Sequence, residues 1–174
     1  MASLATIRER LALAQTLFFE RADLIAAEHW EQRPGPQEWS AAELVGHLVV
    51  VERGILARAN SITQKTPLPV SFRKRLHLPL WLVEARVVRR KSPVPQDPNL
   101  MGPKQAMLGT LCNVREQTLT FLSDTEQRNL KIYCWQHPFL GMLNFYEWME
   151  MIAVHQIRHS KQIRAIGKKF SRKL

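Results

Sequence analysis

Two histidines, His155 and His159, stand four residues apart in "HQIRHSKQI". On a helix that spacing stacks both imidazoles on one face, a turn apart. Imidazole nitrogen is a good ligand for zinc, nickel, iron and copper. Two such nitrogens can converge on one divalent ion, with a third arriving from a neighbouring helix. His47, in "GHL", is the candidate third. Three protein nitrogens leave coordination positions for water or substrate, which separates a catalytic site from a closed structural one. Gln162, three residues after His159, is placed to hydrogen-bond a ligand or a metal-bound water and so to fix tautomer and orientation. Position 156 is glutamine, so the glutamate base of the HExxH protease motif is absent. A plainer reading stands beside the metal: HxxxH arises by chance, an inward histidine is often a hydrogen-bonded core residue, and Arg158 suits a solvated face. Glu43, Glu52 and Glu150 are available carboxylates, and their spacing selects none of them as a general base.

The elements that must present these side chains read as helices. Leu4, Ile7, Leu11, Ala14, Phe18 and Ile25 recur at three-to-four spacing and predict a first helix from Leu4 to about His29. Pro34, Gly35 and Pro36 stop it. Ser40 and Glu43 in "SAAE" form a capping-box pattern at the start of a second helix running to about Ile62, with Trp39 placed as a staple onto Leu44. His47 lies three after Leu44 and four before Val51, on the apolar stripe. Residues 63–103 hold seven prolines and read as a long crossover, with a short helix predicted within "LPLWLVEARVVRR". A third long helix starts near Pro103 and ends at "SDTEQRN". Asn144, with Glu147 three later, caps a fourth that carries Met151, Ile152, His155, His159 and Ile163 inward. Gly167 is a plausible stop, though the lysine-rich residues after it can prolong the helix. Four long helices and few convincing strands predict an all-α four-helix bundle, in a single domain over residues 1–174.

The remaining histidines carry lesser expectations. His137 in "HPFLG" reads as a structural turn residue, His29 as the end of the first helix, where a cation meets the negative dipole end, and His77 as exposed. Trp39, Trp135 and Trp148 read as core or cap residues rather than a substrate box.

Composition bounds the rest. Apolar residues make up 45% of the 174, ordinary for a globular chain. The charged N-terminal stretch lacks a signal-peptide apolar run, and no window approaches the roughly 20 apolar residues of a membrane span. The expectation is a cytoplasmic protein. Cys112 and Cys134 fit neither a disulfide framework nor a CxxC motif and read as structural. The formal charge of +10 gathers in two clusters. One is Arg73, Lys74, Arg75, Arg86, Arg89, Arg90 and Lys91. The other is Arg158, Lys161, Arg164, Lys168, Lys169, Arg172 and Lys173. Basic surface of this kind binds nucleic acid, steers an anionic substrate or simply solvates the protein.

The stretches "WSAAELVGHLVVVE" (39–52), "HPFLGMLNFYEWM" (137–149) and "AVHQIRHSKQIRAI" (153–166) lie in an order that resembles the DinB-like (DinB/YfiT-like) metalloenzyme superfamily. The resemblance covers nearly the whole chain. It implies an up-down-down-up four-helix bundle, a three-histidine metal site and a homodimer of bacterial origin. It carries the ligand roles onto His47, His155 and His159. The connection between the second and third long helices is more basic and proline-rich than the family pattern. Some relatives are thiol-dependent transferases or isomerases that use bacillithiol or mycothiol, and kinship of fold does not transfer a reaction. The leading expectation is a protein that uses a divalent ion (Zn, Ni or Fe) to activate a thiol or water, as a thiol S-transferase or hydrolase acting on a small molecule. A low-molecular-weight thiol such as bacillithiol would be the co-substrate, drawn by the basic residues near 73–91. The alternatives are a non-catalytic protein whose basic surface binds nucleic acid or an acidic partner, and a stress-response dimer whose metal only stabilises the fold.

Overall fold

The computed structural model describes residues 3–67, 77–84 and 100–171. The chain is mainly α. Helix α1 spans Leu4–Asp23, its first turn capped by the Ser3 hydroxyl, which accepts from the Thr6 amide. Ile7, Leu11, Ala14, Phe18 and Ala22 form its buried stripe. The helix stops six residues short of His29. Ala26 adopts an extended conformation, a single 3-10 turn covers Ala27–His29, and Trp30 then enters the core. There its indole donates to the Met107 sulfur at 3.4 Å, and its carbonyl accepts from the Ala42 amide. A straight continuation of α1 would give up that burial, so tertiary packing of Trp30 overrides a sequence with no breaker before Pro34.

Helix α2 spans Ala41–Thr63, and the capping box is complete: the Glu43 amide donates to the Ser40 hydroxyl while the Ser40 amide donates to the Glu43 carboxylate. The one-turn helix α3, Trp81–Glu84, lies where a short helix was expected, although the rest of "ARVVRR" lies outside the described residues. So does most of the expected crossover, together with the whole basic cluster from Arg73 to Lys91, and Arg172 and Lys173 of the other. Helix α4 spans Lys104–Asp124 with Pro103 one position earlier than expected, at the cap. Two short antiparallel strands, β1 (Cys134–His137) and β2 (Gly141–Asn144), form a hairpin that the sequence did not reveal. Trp135 opposes Leu143, and Gly141 closes the turn at φ 106°, a conformation that favours glycine. Helix α5, Phe145–Ser171, passes through Gly167 without stopping. The Asn144 side chain accepts from the Tyr146 and Glu147 amides at its start, as the sequence indicated.

Helix α1 lies along α5, and α2 packs against both α4 and α5. The apolar interior falls into two clusters. One gathers around Ile7, Leu11, Trp135, Leu143 and Trp148, and the other around Phe18, Trp30, Leu44, Leu48 and Leu111. Trp135 and Trp148 stack at 5.0 Å, and the Trp148 indole donates to the Trp135 carbonyl, so both are core residues as read. No helix among the described residues is long and apolar enough to cross a membrane.

Candidate metal centre

The capped start of α2 carries His47 two turns inward, in a stretch, Ala41–Val49, buried on every side. The capped start of α5 carries His155 and His159 on the side facing α2. The three rings meet. His155 Nε2 lies 3.3 Å from His47 Nε2 and 3.1 Å from His159 Nε2. A ligand nitrogen from each lies within 4.8 Å of the others. His47 and His159 are buried and His155 is partly buried. Among the described residues no other three histidine, cysteine or acidic side chains converge in this way.

The electrostatics keep two of the imidazoles neutral. Burial lowers the His47 pKa to about 4. Burial also holds His155 well below the ordinary value, reinforced by the neighbouring His159, His47, Arg158 and His137. A neutral imidazole has one N–H and one lone pair. His159 Nδ1 lies 3.1 Å from Gln162 Oε1, so Nδ1 carries the proton and Nε2 presents its lone pair to the cluster. A single proton between two Nε2 atoms satisfies one of the two short contacts and leaves the other nitrogens facing each other. His47 Nδ1, buried without a partner, adds a second unsatisfied polar atom. Burial without compensation costs such groups free energy. A divalent cation at the convergence point answers three inward lone pairs at once. The donor set of neutral nitrogens therefore fits zinc, nickel or iron.

Trp39 bounds the cluster. Its ring sits edge-on to His47 at 5.1 Å and parallel to His159 at 6.4 Å. The sequence placed Trp39 as a cap residue, and the ring does lie at the start of α2, but it also walls the histidines. Arg158 is partly buried and donates to the Val83 carbonyl on α3.

The other candidates separate cleanly. Glu43 is engaged by the capping box and by Arg33; burial pushes its pKa up, and the Arg33 and Ser40 hydrogen bonds outweigh that and lower it. Glu150 pairs with Arg10. Glu52 is buried against Arg115. His137 is the structural turn residue expected: its Nδ1 accepts from the Phe139 and Leu140 amides, and burial lowers its pKa to about 4. His77 is not exposed as expected. It is partly buried, with Nε2 3.1 Å from Glu147; burial pulls its pKa down, but the Leu78 carbonyl and Glu147 raise it overall. His29 does not end α1; it ends the 3-10 turn and stacks on Phe170 at 4.5 Å. Cys112 and Cys134 are unbridged and partly buried.

Sequence reasoning missed the polar layer beside the site. Arg115, fully buried on α4, donates twice to Glu52 of α2, once to Gln156 of α5 and once to the Leu11 carbonyl of α1. One guanidinium thus ties the four long helices together. Its position four after Leu111 and three before Thr118 placed it on the apolar stripe, which was the available signal.

The family model that describes the DinB superfamily matches residues 10–163. The uncharacterized protein YuaE of Bacillus subtilis (strain 168) is 25% identical to this chain over 150 residues, covering 85% of this chain and 89% of that protein. No solved structure matches the chain.

Proposed function

The chain belongs to the DinB superfamily, and from that premise we propose that it is a metal-dependent enzyme in which His47, His155 and His159 bind one divalent ion. The observation that carries this reading is the convergence of three imidazoles, two of them held neutral by burial, from two helices. In this reading the long helices form an up-down-down-up bundle over residues 1–174 as one domain, with the 64–103 connection as its crossover. The protein works in the cytoplasm as a homodimer.

When bound, the ion supplies Lewis acidity that favours the deprotonated form of a thiol or of water at neutral pH. The protein's own side chains prepare the place. His159 is held in one tautomer by Gln162, Trp39 closes one side against solvent, and the buried stretch of α2 fixes His47. The reaction class is attack by a thiol or water on an electrophilic small molecule, as a thiol S-transferase or hydrolase. A low-molecular-weight thiol such as bacillithiol is the co-substrate of the transferase form.

Elemental analysis of tag-free protein tests the first step. Near-stoichiometric zinc, nickel or iron in the native chain, lost in His155→Ala, is the expected result. An absence of metal after reconstitution with each ion would sink the proposal. Turnover of thiols with electrophiles, compared before and after chelation, then tests the enzyme reading. Metal without metal-dependent turnover would leave a binding site and remove the chemistry.

A further inference from the structure

A second site lies on another face of α5. Lys161, Arg164 and Lys168 recur at three- and four-residue spacing, and Arg21 of α1 stands beside them across a shallow groove of about 190 Å³ floored by Ala165. At 100° per residue these positions lie about 150° around the helix from His155 and His159. The groove therefore does not open on the histidine cluster, and a substrate bound there does not serve it.

The groove is built rather than incidental. Arg21 donates to the Ser160 hydroxyl, which is wholly buried and itself donates to the Ile157 carbonyl, so the guanidinium is anchored at the groove edge. Lys161 is steadied by the Glu84 carbonyl at 3.1 Å and more distantly by its carboxylate. Arg164 and Lys168 are exposed. Among the described residues, the ion pair formed at the groove is that of Lys161 with Glu84.

We propose that this groove binds the phosphate backbone of a nucleic acid. The three α5 cations span eight residues, a rise of about 10 Å along the helix, over which one strand of a duplex presents about three phosphates. Two of the four side chains are arginine, whose planar fork takes phosphate oxygens two at a time. The groove is open along its length, which suits a linear polyanion better than a single enclosed anion. A lipid surface fits less well, because membrane docking needs a broad apolar face and, among the described residues within a turn of Arg21 along the chain, Leu24 is the single exposed large apolar side chain. The proposal does not rest on the metal reading.

The test is fluorescence anisotropy of the full-length protein with a labelled 20-base-pair duplex and the matching single strand, from 50 to 200 mM salt. Engagement of about four phosphates predicts an affinity loss on the order of 100-fold across that range. Arg164→Glu/Lys168→Glu abolishes binding, Arg164→Gln/Lys168→Gln weakens it, and Arg53→Gln, at an exposed cation on α2, leaves it unchanged. The neutral variant keeps the test valid if charge reversal disturbs folding. Absent binding at 50 mM salt, or binding indifferent to both double variants, overturns the proposal. Tighter capture of polyglutamate or of phosphatidylserine vesicles than of either oligonucleotide also overturns it, in favour of an acidic protein or a membrane.

Discussion

Two polar centres share the interior of this protein, and they solve burial in opposite ways. Around Arg115 the charges find their complement: the cation meets the Glu52 carboxylate at 2.8 and 3.0 Å and Thr118 donates to the same carboxylate, and the buried Gln156 amide nitrogen alone in that layer lacks a partner. Around His155 three like groups face each other, and none supplies the opposite charge. The first centre balances its charges within the chain and joins helices. The second is completed only by something that accepts three lone pairs. A buried polar cluster is thus read by whether its members complement one another in charge and donor type, and the histidine cluster is the one whose members do not.

The sharpest way to break this contrast is Arg115→Met. It leaves the Glu52 carboxylate buried and uncompensated, a loss of about 3–5 kcal/mol by urea denaturation. Adding Glu52→Leu restores most of it, since the pair together can be replaced by apolar volume. A single variant that costs under about 1 kcal/mol would mean that the layer does not hold the helices.

Acid probes the other centre. Burial lowers His47 and His137 to about 4, below the roughly 6.5 of the unfolded chain. Between those values the unfolded state binds protons that the folded state refuses, so stability is full above pH 6.5 and falls as pH drops toward 4. His47 contributes up to about 3 kcal/mol to that fall, and the less enclosed His137, screened by solvent, a smaller share. Melting of chelator-treated protein across pH 4.5–7.5 should show it, with a shallower acid limb in His47→Leu. A flat profile between pH 7 and 5 contradicts the neutral, buried histidines.

The same contrast explains what could be read from the chain. Ser40–Glu43 and Asn144–Glu147 are local devices, complete within four residues, and both helix starts were legible. His155 and His159 share a face by helical period alone. His47 was placed inward by its spacing from Leu44 and Val51, a weaker signal because Ala41–Val49 is buried on all sides, and the family resemblance added the ligand role. The hairpin escaped because four-residue strands are too short to display alternation, and "HPFLG" reads equally as a lead-in to α5. The end of α1 escaped because Trp30 is drawn in by Met107, far along the chain. Arg115 was visible on a stripe but indistinguishable from a surface arginine without its partners on the three other long helices.

A smaller effect sharpens the boundary of the histidine centre. Gln162→Leu removes the acceptor that fixes the His159 tautomer. Metal affinity should drop 10- to 100-fold, measured by competition with a chromophoric chelator, while urea stability of the chelated protein changes by under about 0.5 kcal/mol. Unchanged affinity would show that ring packing against Trp39, rather than the hydrogen bond, orients His159.

The smallest effect tests whether the metal centre depends on the frame that carries it. Ser40→Ala removes the hydroxyl that accepts from the Glu43 amide and opens one side of the capping box. The cost is about 1 kcal/mol of stability. His47 sits seven residues further on, within a stretch of α2 buried against neighbouring helices, so fraying of the first turn stops short of it. The expected result is a lowered urea midpoint with metal affinity unchanged. An accompanying tenfold loss of affinity would place the cap inside the functional site. Trp39, the residue before the cap whose ring lies against both His47 and His159, would be the physical link between them.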